Sequence, residues 1–497
     1  MISELVTGEH VLLVGSLMLI FSIFVGRAGH KFGLPSLLLF IAAGMMMGVD
    51  GLGIRFDNHS ATQFVGILAL CIILFTGGLD TKLESIIPVW KAGVVLATVG
   101  VALTALFTGT FIFFAAKLSS INFSFAESLL LASIMSSTDS ASVFALLRSK
   151  RLALKENLKP LLELESGSND PMAYMLAMAI IAYMNTGSVS GGAAGAFVVQ
   201  ILVGAAVGIG MGKLVVLIAN KVRLENQSIY SVLVVGFVFL IYSLSDTLRG
   251  NGYLSVYLAG LTIGNSKMIF RRSITNFFED FAWLWQIVMF VLLGLLVNPH
   301  ELLGVAALGS AVGVFMIIFG RPLSVVLCLA PFRRFSKNAI KYVSWIGLRG
   351  AVPIIFATYL FTEGVESAQT MFNIVFFITI LSLVVQGMTV GKMARVFSVA
   401  DDSLEEVNSF GVEIPDEIRS AMVEILVDDS LLNGGDTLSK FPMPENTLVM
   451  MVRRGDSFFV PRGESKIRPG DKLLVISDNT DAVSAALDEK HIRYYKL

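Results

Sequence analysis

The chain has 497 residues, of which 55% are hydrophobic and only 15% are charged, and its formal net charge is -1. This composition is typical of integral membrane proteins and excludes an ordinary soluble globule. The absence of a basic excess argues against a nucleic-acid partner. The two cysteines, Cys71 and Cys328, both lie in apolar runs, so neither a disulfide framework nor a zinc site is expected.

Long apolar runs follow one another through the first four-fifths of the chain. A membrane-spanning helix needs about 20 mostly apolar residues, and continuous runs differ from the alternating pattern of a transmembrane β-barrel. The runs lie near residues 11–28, 34–50, 61–79, 92–116, 127–147, 160–184, 193–218, 229–247, 252–268, 281–298, 304–331, 340–361 and 370–394. The predicted fold class is therefore an all-α polytopic membrane protein with about 13 transmembrane helices.

The distribution of lysine and arginine predicts the orientation in the membrane. Cytoplasmic loops carry an excess of these residues. In the predicted arrangement, alternate loops hold most of them, including Arg148 and Lys159, whereas the opposite loops hold only Arg55, Lys117 and Arg249. This pattern predicts an N-terminus outside the cell and a C-terminus in the cytoplasm.

The composition changes after about residue 396, where a polar, acidic stretch begins. The alternating stretches "MVEILVDD", "TLVMMVRRGDSFFVP" and "DKLLVISD" predict strands, and "GDTLSKF" and "TDAVSAALDEK" predict short helices. We therefore expect a transmembrane domain over residues 1–397 and a small cytoplasmic α+β domain over residues 398–497. A domain of this size buries little core alone, so pairing with a second copy is expected.

Acidic residues interrupt the sixth apolar run in the stretch "LELESGSNDP", residues 162–171. Glu163 is predicted to lie at the cytoplasmic entrance, and Asp170 deeper in the membrane. Ser166 precedes Asp170 by four residues and shares its helical face. Pro171 removes a backbone donor and is expected to loosen the helix at this point.

Two other runs contain sequences that break helices. "SIMSSTDSASVF" surrounds Asp139 with hydroxyl groups, which can bond their own backbone and let a helix unwind. "GLRGAVP" places Arg349 between two glycines and ahead of Pro353. The two runs are seven helices apart, as an inverted repeat would place them. The sequence therefore predicts two broken helices that cross near the middle of the membrane.

Charged residues in the centre of a bilayer need partners, because each costs about 2.5–3.5 kcal/mol on insertion scales. One interpretation is that they form ion pairs, above all Glu165 with Arg349, and only orient helices. The acids Asp139 and Asp170 outnumber the arginine, however, so a mobile proton or cation is expected beside them. If Asp170 binds one or the other, and never both, a site open alternately to each membrane face exchanges them.

The motifs "STD", "ESGSNDP" and "GLRGAVP" together resemble those of the cation:proton antiporter-1 family, which includes NhaP-type bacterial antiporters, over about residues 10–395. "GNGYLSVYLAGLTIGN" is similar to the potassium/proton branch of that family. The tail, about residues 405–497, resembles TrkA-C-like (RCK C-terminal) regulatory domains. The resemblance implies a homodimer in the bacterial cytoplasmic (inner) membrane that exchanges K⁺ or Na⁺ for protons.

The resemblance also implies roles for individual residues. The K⁺ or Na⁺ site would comprise Asp170, Asp139, Ser166, Asn169 as the neutral partner of Asp170, and the Thr138 backbone. Glu165 would pair with Arg349 and hold the core together. Relatives often have an acid in the third helix where this chain has Thr76, which leaves the role of that position and the ion selectivity open.

Three classes of function are compatible with the residues themselves: a cation/proton antiporter, a cation channel gated by the tail, and a membrane sensor. A channel would need a carbonyl filter such as "TVGYG", which the sequence lacks. No nucleophile–base pair, zinc motif or phosphate loop indicates an enzyme. No cofactor is expected beyond the transported ions, although a nucleotide-type ligand of the tail is a further expectation. Potassium is preferred as the substrate, with sodium or lithium as the alternative.

Overall fold

The computed structural model describes residues 15–24, 26, 36–54, 56, 58–119, 121–149, 152–187, 192–222, 224–401, 422–427, 432, 436–440, 446–455, 457–478, 483–484, 487 and 494–496. The chain divides into two compact units. The first comprises Met1–Lys150 with Leu154–Ala400, and the second comprises Arg151–Ala153 with Asp401–Leu497.

The first unit is helical. Its helices are α1 (Gly15–Phe24), α2 (Ser36–Met47), α3 (His59–Asp80), α4 (Leu83–Ile86), α5 (Trp90–Lys117), α6 (Phe125–Ile134), α7 (Ser140–Ser149), α8 (Leu158–Thr186), α9 (Gly192–Lys221), α10 (Gln227–Thr247), α11 (Gly252–Gly264), α12 (Arg271–Leu296), α13 (Pro299–Leu329), α14 (Lys337–Trp345), α15 (Ala351–Thr362) and α16 (Ala368–Val396). Three of them contain a π-helical turn: Leu96–Gly100 in α5, Met316–Gly320 in α13 and Leu383–Gly387 in α16.

The helices of the first unit have the apolar character of membrane spans. Within the described ranges, 7 helices are long and apolar enough to cross a bilayer: α3, α5, α9, α10, α12, α13 and α16. Shorter apolar helices are α1, α2, α6, α11 and α15. A mostly helical polytopic membrane fold is thus confirmed, and the count of thirteen spans stays a prediction.

Both predicted helix breaks are confirmed. α6 ends at Ile134 and α7 begins at Ser140, and α14 ends at Trp345 before α15 begins at Ala351. Serine hydroxyls that compete for backbone groups account for the first break, and the glycines around Arg349 account for the second. Pro171 does not interrupt α8, which continues through it as one helix of 29 residues, and the expected loosening at this point stays a prediction. A proline removes one donor, and neighbouring packing is sufficient to keep the helix intact.

The helices of the first unit form two bundles. The first bundle contains α2, α3 and α9–α12, and the second contains α5–α8 and α13–α16. Glycines allow close approach within the first bundle. Gly204, Gly208 and Gly212 of α9 all face α11 and form a packing face of small residues. The bundles meet mainly where α11 contacts α8 and where α3 contacts α15.

The second unit contains an antiparallel sheet. The strands of the chain are β1 (Ala153–Leu154), β2 (Ala400–Asp401), β3 (Met422–Leu426), β4 (Thr447–Arg454), β5 (Ser457–Phe459), β6 (Lys472–Ser477) and β7 (Tyr494–Lys496). The last five form a sheet in the order β5-β4-β6-β3-β7. All three stretches predicted as strands contain strands, and "TLVMMVRRGDSFFVP" contains two, β4 and β5. "GDTLSKF" contains a 3₁₀ turn at Leu438–Lys440, and most of "TDAVSAALDEK" lies outside the described residues.

Candidate cation-binding site

The break between α6 and α7 exposes oxygen atoms inside the second bundle. Asp139 occupies the capping position before α7, where its carboxylate accepts hydrogen bonds from the Ser142 N–H at 3.0 Å and from the Ser142 hydroxyl. The Ser136 hydroxyl donates to the Ser133 carbonyl at 2.6 Å, which satisfies one of the last carbonyls of α6. A carboxylate at a helix N-terminus is stabilised both by these donors and by the helix dipole.

The second break crosses the first one. The Asp139 N–H donates to the Leu348 carbonyl at 2.8 Å, and Gly350 lies so close that a Cβ atom there would overlap the Asp139 carboxylate. The Arg349 guanidinium donates to the Ser136 carbonyl at 2.8 Å and to the Ser137 carbonyl. Arg349 thus places its positive charge at the negative end of α6, which is where a cation is most stabilised.

One face of α8 lies against this crossing. The Ser137 hydroxyl donates to the Asp170 carboxylate, and the Ser166 hydroxyl donates to the Thr138 carbonyl at 2.8 Å. The Asn169 amide donates to the Thr138 hydroxyl at 2.5 Å. The structure therefore brings all five residues of the predicted ion site together, since Asp139 lies in the same break.

The amide oxygen of Asn169 is the most informative atom of this site. Asn169 is fully buried, and its Oδ1 has no hydrogen-bond partner among the residues that the structure describes. A buried acceptor without a donor is costly, so a ligand that accepts lone pairs is expected beside it. The same helix break also holds the carboxylates of Asp139 and Asp170, so oxygen atoms of the kind that bind a hard cation are available there.

The predicted ion pair between Glu165 and Arg349 is wrong. Glu165 instead pairs with Arg321 of α13 through two hydrogen bonds of 2.5 and 3.0 Å, and both side chains are buried. Glu165 lies on a different face of α8 from Asp170, because five residues correspond to about 140° of helix rotation. Sequence reasoning missed Arg321 as this partner, and the signal that could have found it is a lone arginine within the apolar stretch "FGRPLSVV".

Glu163 and Thr76 lie away from the carboxylate pair. The Glu163 side chain is 24% exposed and pairs with Lys159 at 3.7 Å, so this end of α8 is more open to solvent than Asp170. The Thr76 hydroxyl donates to the Ile72 carbonyl at 2.8 Å and contacts the Phe278 carbonyl at 3.3 Å. Thr76 therefore links α3 to α12 inside the first bundle.

Two broken helices that cross beside paired carboxylates inside a membrane bundle define a secondary ion transporter. The comparison with known families agrees. The chain belongs to the sodium/hydrogen exchanger family, whose transmembrane model matches residues 17–396. Its activity is therefore of the cation/proton antiport class.

Named relatives share most of the chain. The K(+)/H(+) antiporter NhaP2 of Shewanella sp. (strain MR-4) is 37% identical over 472 residues, which cover 93% of this chain and 80% of the relative. The K(+)/H(+) antiporter NhaP of Alkalimonas amylolytica is 34% identical over 480 residues, covering 95% and 81%. The sodium proton antiporter MjNhaP1 of Methanocaldococcus jannaschii matches in structure with a TM-score of 0.64 and 22% identity, covering 75% of this chain and 97% of that chain, which supports the fold alone.

Proposed function

We propose that the chain exchanges K⁺ for protons across the bacterial cytoplasmic membrane, and so contributes to cytoplasmic cation, pH and volume homeostasis. Relatives that share 37% and 34% of its residues bear the name K(+)/H(+) antiporter, and they match nearly the whole chain. The loop charges support thirteen spans with the N-terminus outside and the tail in the cytoplasm. Under this orientation, Glu163 lies on the cytoplasmic side of Asp170.

The observation that carries the proposal is the convergence of Asp139, Asp170 and the unpartnered Asn169 oxygen at a helix break. A cation held there would be bound by the two carboxylates, by Asn169, and by Ser166 and Thr138 oxygens. Asp139 already accepts two hydrogen bonds from the first turn of α7, so Asp170 is the carboxylate left to exchange its proton for the cation. No covalent step is involved.

Sodium is the second candidate substrate, because the family to which the chain belongs is described as sodium/hydrogen exchangers. Carboxylate, amide and hydroxyl oxygens bind both ions. Selectivity then depends on the size of the closed site and the number of oxygens that it offers.

The functional unit that we propose is a homodimer with a regulatory tail. Residues 398–497 would act as a TrkA-C-like domain in the cytoplasm, and a nucleotide-type ligand between two copies would control transport. The antiparallel sheet of β3–β7 is compatible with such a role.

The exchange activity can be tested in inside-out vesicles loaded with a pH-sensitive dye. Addition of K⁺, Na⁺ or Li⁺ should cause dequenching with the wild type, and no response with Asp170→Asn. The matched control is Asp246→Asn, because Asp246 is an exposed acid at the end of α10 and should leave exchange unchanged. A full response from Asp170→Asn would contradict the mechanism, and the ion series identifies the substrate.

A further inference from the structure

α11 carries two tyrosines that face α8 on either side of Asp170. Tyr253 and Tyr257 are four residues apart and so lie on one helical face. The Tyr257 ring packs directly on Gly167, where any Cβ atom would overlap it. The Tyr253 ring lies 5.4 Å, centroid to centroid, from that of Tyr174, one turn beyond Asp170. The first bundle therefore contacts the ion-site helix just before and just after its exchanging carboxylate.

An aromatic cluster fills the space beyond Asp170 on the side away from Glu163. Tyr174 has ring centroids 5.6 Å from Phe356 and 5.3 Å from Tyr359, and Tyr242 lies 5.1 Å from Tyr253. Tyr253 is only 1% exposed. Rings at these spacings pack closely, so the Tyr174 side of the site is more enclosed than the other side, where Glu163 is 24% exposed.

One hydrogen bond in this cluster joins the two bundles. The hydroxyls of Tyr253, on α11, and Tyr359, on α15, lie 3.1 Å apart in a buried environment. Tyr242 and Gln63 of the first bundle also face the Tyr359 hydroxyl. Because the bond crosses the boundary between the bundles, any relative movement along α8 must break it.

The Tyr257 hydroxyl, unlike that of Tyr253, is not hydrogen-bonded in this structure to any of the described residues. It is also buried. The Thr81 and Glu163 side chains lie near it, and the Thr81 hydroxyl, which donates to the Gly77 carbonyl at 2.6 Å, keeps lone pairs that can accept a hydrogen bond. A buried hydroxyl without a partner is unfavourable, so the arrangement that satisfies Tyr253 leaves Tyr257 unsatisfied.

We propose that Tyr253, Tyr257 and Tyr359 are positioning residues that decide which membrane face Asp170 is open to. The Tyr253–Tyr359 hydrogen bond holds the arrangement seen here, in which the Tyr174 side is the more enclosed. In the opposite arrangement this bond is broken, and the Tyr257 hydroxyl acquires a partner. The inference rests on the proposed exchange function and adds the residues of the first bundle that control it.

The test compares half-saturating K⁺ concentrations on the two membrane faces, in inside-out and right-side-out vesicles. The ratio of the Glu163-side value to the Tyr174-side value reports the equilibrium between the two arrangements, because apparent affinity scales with the competent population.

Tyr253→Phe should raise this ratio about fivefold. Tyr359→Phe should raise it at least as much, because Tyr242 and Gln63 also face the Tyr359 hydroxyl, and the double variant should raise it no further than Tyr359→Phe alone. Tyr257→Phe should lower the ratio.

The matched control is Tyr342→Phe. Tyr342 is also buried, and its hydroxyl has no partner among the described residues, but it belongs to α14 inside the second bundle. Removal of this hydroxyl should therefore leave the ratio unchanged. The proposal would be overturned if the Tyr253, Tyr257 and Tyr359 variants changed the half-saturating concentrations equally on both faces. It would also be overturned if all three variants shifted the ratio in the same direction. A wild type without cation-dependent proton flux would instead reject the exchange function itself.

Discussion

The Glu165–Arg321 pair encloses two full charges in the second bundle. Removing one partner of a buried ion pair is strongly destabilising, because the remaining charge is left buried and uncompensated. Arg321 also has a buried Nε without a hydrogen-bond partner among the described residues. The pair therefore fixes α13 against α8 at some cost in free energy.

We predict that Arg321→Met lowers the free energy of unfolding by about 3–5 kcal/mol, because it leaves Glu165 buried and unpaired. Thermal unfolding in detergent measures the loss. Lys159→Met serves as the control, since the Lys159 side chain is 62% exposed and its pair with Glu163 should contribute less than about 1 kcal/mol. A variant Arg321→Met as stable as the Lys159→Met control would show that Glu165 has another partner.

Gly350 lies directly against the Asp139 carboxylate and leaves no room for a side chain. Gly350→Ala would place a methyl group against the Asp139 carboxylate and should reduce the exchange rate by at least about tenfold through misplacement of the site. Dye dequenching in vesicles gives the rate, and a binding or chromatographic assay confirms folding. Gly236→Ala is the matched control, because a Cβ atom there meets nothing within 4 Å. Comparable rates for the two variants would refute the crowding that we describe.

The individual site residues differ in how far the sequence could reveal them. Asp139 and Asp170 could be predicted because carboxylates in apolar runs are costly and need a function. The partner of Glu165 could not be predicted, because Arg321 and Arg349 both lie within apolar runs. Which of the two meets Glu165 depends on how the helices are rotated and packed. The unpartnered oxygen of Asn169 likewise becomes evident only from the three-dimensional neighbours.

At the scale of helices, glycines determine how closely the first bundle packs. A Cβ atom at Gly260 of α11 would overlap the Phe75 carbonyl of α3, and one at Gly44 of α2 would overlap the Val291 carbonyl of α12. Such contacts let helix backbones pack closely. Close packing drives helix association in a membrane, where the hydrophobic effect between helices is absent.

Gly260→Ala should therefore destabilise the fold by about 1–3 kcal/mol, because helix backbones cannot yield as a flexible side chain does. Gly210→Ala, on the open face of α9, should be neutral or slightly stabilising. Unfolding midpoints of both variants in detergent give the comparison. Equal midpoints would contradict the close backbone contact between α3 and α11.

Local sequence accounts for the helix breaks but not for every irregularity. Serine-rich and glycine-flanked segments predicted the interruptions around Asp139 and Arg349, because their local chemistry opposes a helix. The π-helical turns at Leu96–Gly100 and Met316–Gly320 each end in a glycine, and the second lies just before Pro322, but neither was predicted. A glycine or proline in an apolar helix is compatible with several irregularities, so local sequence does not specify a π-helical turn.

At the scale of the whole molecule, the chain combines two helical bundles with a separate sheet unit. Strand positions in the tail could be predicted from alternation, whereas the order β5-β4-β6-β3-β7 could not, because pairing is decided by long-range contacts. Two bundles with few contacts between them are suited to relative movement, whereas the tight glycine contacts keep the first bundle rigid.

If the tail regulates transport, deletion of the residues after 400 should change the maximal exchange rate or its midpoint on the pH axis by an amount typical of allosteric coupling, at least about fivefold in rate. Vesicle dequenching over a range of pH values measures both quantities. Arg454→Met in the intact chain is a milder variant, because it removes the 2.6 Å ion pair with Asp471 and perturbs the sheet alone. Identical rates and pH profiles for the wild type and the deletion would exclude a regulatory tail.

The charges around the two helix breaks have a thermodynamic consequence. Asp139, Asp170 and Glu165 carry three negative charges when ionised, whereas Arg321 and Arg349 carry two positive charges. One proton or one monovalent cation makes this sum zero, and we therefore expect an exchange of one cation for one proton. Such an exchange moves no net charge, so the membrane voltage would not drive it. Transport stops when the two concentration ratios are equal, so a difference of about one pH unit balances about a tenfold cation gradient.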